Sequence, residues 1–300
     1  MRIAAVGGAG FVGRHLARQL HEAGHESISL DRRPIGAPYG GERALAVDLM
    51  GAGGPEAAAR ACGPVDAIVW LAASIRQRTR VDESAAEDLQ LMVEAPLRFL
   101  RALERPPTSF VFISSIQVYG RPVRLPVDEA HPTDPVTSYG VAKLCAEKYL
   151  GVACAGSGIP LACLRLGFVY GPGQHPDNAI PRFLGALRRG EAPVVRGDGK
   201  GIRDDIYAGD VAQAIEKAIL CRARGAVNIA AGRPHTLLEV AEAACRVAGG
   251  RLAPVRDPAD SGWVDRWFSA DAARRLLGFE ARTPLEEGLR RMWAGGEQPS

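Results

Sequence analysis

The chain has 300 residues, of which 24% are charged, and a formal net charge of +3 at pH 7. This balance excludes a surface dedicated to nucleic acid or to a membrane, and predicts a small-molecule ligand. No apolar run is long enough to span a membrane and the first strand pattern starts at Arg2, so we expect a cytoplasmic protein without a signal peptide. Beyond His21 and His25 no pair of residues has the spacing of metal ligands, so we expect no bound metal.

Apolar runs alternate with amphipathic segments through the first half of the chain. The strand-like runs are 3–7, 27–31, 66–73, 110–115 and 161–167, and the helix-like segments are 12–23, 56–62, 84–104 and 140–155. This alternation predicts an α/β fold built on a Rossmann-type doubly wound parallel sheet.

After residue 170 the Gly and Pro density rises and the alternation becomes irregular, which predicts a smaller C-terminal α/β lobe. In this part 226–231 resembles a strand, and 236–249 and 284–293 resemble helices. We assign 1–167, with roughly 201–230, to the Rossmann domain, and 168–200 with 231–300 to a substrate-binding lobe.

A glycine-rich turn follows the first strand. Gly7, Gly10 and Gly13 have the spacing GxxGxxG, whereas Gly8 lies outside this pattern as a small residue in a crowded turn. Such a turn lets backbone approach a pyrophosphate at the start of a helix, here beside Phe11 and Val12. The stretch therefore predicts a dinucleotide site.

Two acidic residues follow later strands. Asp31 comes 18 residues after Gly13, where a carboxylate accepts hydrogen bonds from adenosine ribose hydroxyls and repels a 2′-phosphate. This favours NAD, although Arg32 and Arg33 leave NADP as an alternative. Asp48, beside Leu49, could meet the adenine amino group or belong to a solvated loop.

A second group of residues could carry acid–base chemistry. Tyr139 and Lys143 are four residues apart on a predicted helix and therefore share one face. An ammonium group near a phenol favours the phenolate, so the pair could act as general base and acid. Ser114 and Ser115 end the strand 110–115, where a hydroxyl could bind a substrate oxygen or only cap a turn.

Taken together, these motifs resemble the extended short-chain dehydrogenase/reductases, and within them the NAD-dependent epimerase/dehydratase family. The resemblance covers nearly the whole chain and rests on GxxGxxG at 7–13, LAA at 71–73, SSIQVYG at 114–120, YxxxK at 139–143, LRLGFVYGPG at 164–173 and RDDIYAGDVAQAI at 203–215.

The resemblance implies a role for several residues. Tyr139 would be the catalytic base, Lys143 would hold the nicotinamide ribose and lower the Tyr139 pKa, and Ser115 would lie beside the substrate oxygen. Arg203 would bind a substrate diphosphate, with an ion pair to Asp204 or Asp205 as the alternative. The resemblance also implies cofactor contacts at Leu71, Ala72 and Ala73, and substrate contacts at Ser74, Gln117, Phe168 and Asn178.

The chain departs from the family where substrate is bound. Phe168 stands where an asparagine is usual, and the arginine segment common near the C-terminus is missing, although Arg256 or Arg266 could replace it. Ile116 and Gln117 follow Ser115 where 4,6-dehydratases of the family have Asp and Glu, which disfavours dehydration.

The resemblance implies an NAD-dependent nucleotide-sugar 4-epimerase that forms a transient 4-keto sugar. A keto-sugar reductase or dehydrogenase, using NADH or NADPH on a substrate without a nucleotide, is the first alternative. A nucleotide-sensing regulator without catalysis is the second. The resemblance also implies a homodimer that pairs through the helices 84–104 and 140–155.

Overall fold

The computed structural model describes residues 1–33, 42–74, 85–259 and 262–295. The strands are β1 (Arg2–Val6), β2 (Glu26–Asp31), β3 (Glu42–Ala46), β4 (Ala67–Trp70), β5 (Ser109–Ser115), β6 (Leu161–Leu166), β7 (Phe168–Tyr170), β8 (Val194–Arg196), β9 (Ile202–Arg203), β10 (Asp205–Tyr207), β11 (Gly225–Ile229), β12 (His235–Thr236) and β13 (Val255–Asp257). The helices are α1 (Phe11–Glu22), α2 (Gly54–Cys62), α3 (Ala85–Leu89), α4 (Ala95–Arg101), α5 (Ser138–Gly156), α6 (Ala179–Arg188), α7 (Ala208–Leu220), α8 (Leu237–Val247), α9 (Asp271–Leu277) and α10 (Leu285–Ala294).

Seven strands form one sheet in the order β11-β6-β5-β4-β1-β2-β3, and all its pairs are parallel. The predicted α/β class is confirmed, as are the five strands predicted in the first half of the chain, which are β1, β2, β4, β5 and β6. The order changes direction beside β1, so the glycine-rich turn lies at the point where ligands bind in open α/β sheets.

The helix predicted over 84–104 is interrupted, and residue 84 lies outside the described residues. A π-helical turn, Gln90–Glu94, separates α3 from α4. Pro96 lies in the first turn of α4 and has no N–H to close the preceding turn with the usual spacing. The apolar periodicity was continuous across this point, so it could not indicate the break.

Helices cover both faces of the sheet. Along β1 the side chains alternate, with Ile3 and Ala5 in one apolar cluster and Ala4 and Val6 in the other. The first cluster includes residues of α1, α7 and α9, and the second includes residues of α2, α4 and α5. The fold is therefore doubly wound.

A third apolar cluster joins α6, α8 and α10. It contains Phe183, Leu184, Val240 and Leu289, together with Tyr170 and Tyr207 from β7 and β10. By contrast, α9 packs against α7 and β11 of the sheet. The division of the chain into two lobes stays a prediction. No helix within the described ranges has the length and apolarity needed to cross a membrane.

A buried ion pair connects α5 to β6. Arg165 donates to both carboxylate oxygens of Glu147, at 3.0 and 2.7 Å, and to the hydroxyl of Tyr119 at 2.9 Å. Tyr119 in turn donates to Asn228 of β11 at 2.7 Å. These hydrogen bonds compensate for burying both charges.

Glu147→Gln should destabilise the fold by about 3–5 kcal/mol, because it leaves the Arg165 guanidinium buried without a counter-charge. Urea unfolding followed by circular dichroism measures this free energy. Glu22→Gln is the matched control, because it breaks an exposed pair with Arg18 on α1 and should have little effect. Equal stability of the two variants would contradict the prediction.

Candidate active site

The carboxyl edge of the sheet brings most of the predicted site residues together. The glycine-rich turn follows β1, Asp31 ends β2, the segment 71–74 follows β4, and Ser115 ends β5. Leu71 and Ala72 both donate backbone hydrogen bonds to the Val6 carbonyl, at 2.8 and 2.9 Å. The segment that the family resemblance assigns to the cofactor therefore lies against the glycine-rich turn.

The glycine-rich turn has no room for side chains at two of its pattern positions. Gly7 has a φ of +84°, and a Cβ atom there would lie 2.6 Å from the Ala72 nitrogen. A Cβ atom on Gly13 would lie 2.2 Å from the Gly8 carbonyl oxygen. Gly10 is exposed at the start of α1, whose N-terminus has no side-chain cap among the described residues. This arrangement fits a pyrophosphate at the helix N-terminus.

Asp31 is oriented by the same turn. Its carboxylate accepts hydrogen bonds from the backbone N–H groups of Ala9 at 3.2 Å and Arg33 at 3.3 Å. Each oxygen keeps a lone pair, so the group can still accept from ribose hydroxyls. Arg32 and Arg33 are exposed beside it. The residues present therefore fit a dinucleotide whose adenosine ribose has unmodified hydroxyl groups.

The other predicted cofactor residues surround this turn. Phe11 and Val12 are half-buried in the first turn of α1, and Leu49 is buried after β3. Asp48 is exposed and accepts a hydrogen bond from the Met50 N–H at 3.0 Å, which closes its own loop. A contact of Asp48 with adenine stays a prediction.

Tyr139 and Lys143 lie in the first turns of α5, which begins after the capping residue Thr137. The Lys143 Nζ donates to the Ile113 carbonyl at 2.7 Å and lies 4.7 Å from the Phe112 ring centroid. It also lies 5.6 Å from the Tyr139 ring centroid. The tyrosine and the ammonium group are therefore stacked on one face of the helix, against β5.

Burial shifts the pKa values of the pair in opposite directions. Loss of solvation lowers the pKa of Lys143 to about 7, against the opposing charges of Glu147 and Asp88. Burial also raises the pKa of Tyr139 to about 12, although the neighbouring Ser115 hydroxyl opposes that shift. In the protein alone the phenol is therefore protonated at neutral pH.

The two serines at the end of β5 have different partners. The Ser115 hydroxyl lies beside the Tyr139 phenol, where it lowers the pKa of that phenol, and it accepts a hydrogen bond from the Gln117 N–H at 3.2 Å. Ser114 is turned to the other side of the strand and donates to Glu147. This geometry favours Ser115 over Ser114 as the residue beside a substrate oxygen.

Asp88 is an acidic residue near this group that the sequence analysis did not identify. It is 3% exposed on α3 and accepts a hydrogen bond from the Ser138 hydroxyl at 3.1 Å. Its charge raises the pKa of both Tyr139 and Lys143. Asp88 precedes Tyr139 by about fifty positions in a segment without a motif, so only the fold could bring them together.

Arg203 is buried in an ion pair with Asp205. Its Nε and one Nη donate to the two carboxylate oxygens at 2.6 Å each. Its guanidinium carbon lies 5.0 Å from the Phe168 ring centroid and 5.8 Å from that of Trp263. The considered ion pair is thus present, and Nη1 makes no hydrogen bond to any residue that the structure describes, so it can donate to a further acceptor. Nothing in the sequence pattern indicated Trp263.

The remaining predicted substrate residues lie at the rim. Gln117 is exposed and accepts a hydrogen bond from the Thr137 hydroxyl at 2.9 Å. Asn178 is exposed before α6 and donates to the His175 carbonyl at 3.2 Å. Ser74 is half-buried after β4. Their substrate contacts stay predictions.

A Rossmann-type sheet with a glycine cradle, an acidic residue after β2 and a Ser–Tyr–Lys group defines a dinucleotide-dependent enzyme of the extended short-chain dehydrogenase/reductase type. Residues 3–230 match the model of the NAD dependent epimerase/dehydratase family, and the chain belongs to that family. NAD is therefore the cofactor, as Asp31 predicts, and the predicted family is confirmed.

Known proteins similar to the chain include a putative UDP-glucose 4-epimerase of Methanocaldococcus jannaschii, 30% identical over 97% of this chain and 96% of that protein. Among solved structures, the UDP-glucose 4-epimerase of Thermotoga maritima with UDP-glucose has a TM-score of 0.85 at 27% identity, covering 98% of both chains. MoeE5 in complex with UDP-glucuronic acid and NAD has a TM-score of 0.84 at 30% identity, covering 98% of this chain and 99% of that chain.

Proposed function

We propose that the protein is a nucleotide-sugar 4-epimerase. The observation that carries the proposal is the grouping of Ser115 and Tyr139 with the buried Lys143, at the sheet edge that also holds the glycine-rich turn. The relatives named as UDP-glucose 4-epimerases, which align over nearly the whole chain, support the choice of reaction and of a uridine nucleotide.

The chain's own residues would act on the C4 hydroxyl of the sugar. Ser115 would hold this hydroxyl beside the Tyr139 phenol, and Tyr139 would take its proton and return it after the sugar ring has turned over. NAD, when bound, supplies a hydride acceptor and a positively charged ring. Lys143 would add a second positive charge that lowers the pKa of Tyr139 from its high value in the protein alone.

The substrate diphosphate would be bound by Arg203. Asp205 accepts from Nε and from one N–H of Nη2, so the two N–H groups of Nη1 and the second N–H of Nη2 would donate to phosphate oxygens. Phe168 cannot make the hydrogen bonds of an asparagine amide. Its ring instead lies against one face of the Arg203 guanidinium and orients the plane of that group. We therefore expect weaker diphosphate binding than an unpaired arginine would give.

Two measurements test the proposal. The purified protein is denatured and the released nucleotide is assayed, and UDP-glucose deuterated at C4 is incubated with the intact protein and followed by NMR. We expect NAD in an amount equal to that of the chain, and UDP-galactose that keeps its deuterium. The label is retained because the same hydride is returned to the other face of C4.

A keto-sugar reductase gives the opposite result. It would be purified without nucleotide, would oxidise added NADH or NADPH with a ketone, and would not interconvert the two sugars. This outcome, or an absence of any NAD-linked turnover, would overturn the proposal.

The resemblance also predicts a homodimer, and α5 has an apolar surface that fits this expectation. Val141, Tyr149 and Val152 are 49%, 57% and 77% exposed on α5, and Leu89 on the neighbouring α3 is 46% exposed. A stripe of this kind is typical of a helix that packs against another helix. A second copy of the chain would bury it.

Val152→Glu should convert the protein to a monomer, because it places a charge in the apolar stripe at its most exposed residue. Light scattering at micromolar concentration measures the mass. Val136→Glu, which changes an exposed valine just before α5, is the matched control and should leave the dimer intact. A monomeric mass for the unmodified protein would contradict the prediction.

A further inference from the structure

Asp88 is a buried acidic residue of the site that the proposed chemistry does not use. Its carboxylate, on α3, accepts a hydrogen bond from the Ser138 hydroxyl at 3.1 Å. Acidic side chains are almost never buried to this extent unless they are paired. A hydrogen bond that a carboxylate accepts is also roughly twice as strong as one between neutral groups. The contact with Ser138 is therefore a firm link between α3 and α5.

Ser138 is the first residue of α5 and directly precedes Tyr139. Successive residues of an α-helix point about 100° apart, so a contact that holds the Ser138 side chain fixes the rotation of the first turn. That rotation decides where the Tyr139 phenol lies relative to Ser115. Lys143 has an attachment of its own, because its ammonium group donates to the Ile113 carbonyl of β5 at 2.7 Å.

The other contacts of α5 with its neighbours hold its first turn less firmly. Thr137, the capping residue, donates to Gln117 at 2.9 Å, but both side chains are exposed and water competes for this bond. Further along the helix, Ala146 belongs to the same apolar cluster as Val93. Apolar contacts have no direction, whereas a hydrogen bond weakens steeply as its angle changes. The buried bond from Asp88 is therefore the contact that orients the start of α5.

We propose that Asp88 is a positioning residue for the reaction, which sets the place of the Tyr139 phenol through its hydrogen bond with Ser138. The inference rests on the proposed function, in which Tyr139 is the general base for the C4 hydroxyl. Because Asp88 offers almost no surface to a sugar, its removal should affect proton transfer and not substrate binding. Such a transfer needs hydrogen-bond reach, and a displacement of about 1 Å can reduce the rate about 100-fold.

A double-mutant cycle tests the contact, with the conversion of UDP-glucose to UDP-galactose as the assay. Asp88→Leu and Ser138→Ala should each reduce kcat about 10-fold and change KM less than about twofold. The double variant should lose no more kcat than either single variant, because both substitutions remove the same hydrogen bond. Two residues that act independently would instead multiply their losses.

Asp88→Asn is the conservative variant, because its amide oxygen can still accept from the Ser138 hydroxyl. The charge of Asp88 raises the pKa of Tyr139, so removing this charge does not impair the base. The variant should therefore lower kcat less than about twofold. If Asp88→Leu fails to fold, retained activity in Asp88→Asn together with the loss in Ser138→Ala decides the question.

Glu94→Leu is the matched control. It removes an exposed carboxylate from the neighbouring π-helical turn, whose partner is Arg98 at 3.1 Å. This variant should keep the kcat and the KM of the unmodified protein.

A second measurement does not depend on the reaction. Tyr139 is one of six tyrosines, and Tyr139→Phe identifies its signal in the NMR spectrum of NAD-bound protein labelled at the tyrosine Cζ atoms. Asp88→Leu and Ser138→Ala should each move this signal, because each releases the first turn of α5. The double variant should show the displacement of a single variant, and Glu94→Leu should show none.

Multiplied losses of kcat in the double variant, or an unmoved Tyr139 signal, would overturn the inference. Equal losses in Asp88→Asn and Asp88→Leu would also overturn it, because they would assign the effect to the charge and not to the hydrogen bond. The proposed function fails separately: if the unmodified protein never inverts C4 but the Tyr139 signal moves as expected, the positioning role stands and the epimerase does not. Conversely, C4 inversion at full rate in Ser138→Ala would leave the epimerase standing without this role of Asp88.

Discussion

Tyr139→Phe is expected to reduce kcat about 10²- to 10⁴-fold, the range usual for removing a general base, while bound NAD is retained. The variant removes only the phenolic oxygen, which lies beside the Ser115 hydroxyl. The ring stays against Lys143, so the local packing and the cofactor cradle are unchanged. The loss should therefore appear in kcat and not in the NAD content of the denatured protein.

Tyr149→Phe is the matched control for this prediction. Tyr149 lies on the same helix but is 57% exposed, away from the sheet edge. Its variant should keep the activity of the unmodified protein. If Tyr139→Phe also kept that activity, Tyr139 would not be the base, and the proposed chemistry would have to be assigned to another group.

The sequence predicted the sheet because each of its strands has an apolar pattern of its own. The alternation of strand-like and helix-like segments indicated β1, β2, β4, β5 and β6 without any long-range information. Short strands such as β9 and β12 have two residues each and carry no pattern that could be recognised. Their existence depends on contacts between distant segments.

The difference between local sequence patterns and contacts of distant segments also explains which parts of the site were predicted. Gly7, Gly13, Tyr139 and Lys143 belong to local motifs, and their spacing follows from one turn or one helix face. Gly8 was considered only a small residue in a crowded turn, and a Cβ atom there would lie 2.5 Å from the Ser29 hydroxyl oxygen on β2. The crowding comes from another strand.

The polar partners of the site are less accessible to sequence reasoning. Arg203 was correctly considered for an ion pair because Asp205 is two residues away, but its stacking on Trp263 joins segments about sixty residues apart. Asp88 likewise gains its significance from neighbours brought by the fold. Charge and burial, not sequence spacing, distinguish it from ordinary surface residues.

Lys143→Met is expected to lower kcat about 10²-fold or more and, at neutral pH, to make the fold more stable. The activity falls because the variant removes the amine that, in its charged form, would lower the pKa of Tyr139. The stability rises because burial of the ammonium group opposes folding, as the lowered pKa of Lys143, about 7, indicates. A purely structural lysine would give the opposite change in stability.

The lowered pKa of Lys143 determines whether stability rises or falls with pH. Between pH 7 and the ordinary lysine value of 10.5, the unfolded chain binds a proton at Lys143 that the folded protein has released. The stability contributed by this lysine therefore rises with pH, by at most about 1.4 kcal/mol per pH unit, and is lost as pH falls to 7. The advantage of Lys143→Met over the unmodified protein should shrink as pH increases.

Urea unfolding of nucleotide-free protein at several pH values from 7 to 9.5 measures this difference. The upper limit avoids the range above pH 10, where the raised pKa of Tyr139, about 12, makes stability fall with pH. Lys148→Met, an exposed lysine on α5, should show neither the gain in stability nor the pH dependence. A difference that does not change with pH would mean that Lys143 stays charged in the folded protein, held so by Glu147 and Asp88.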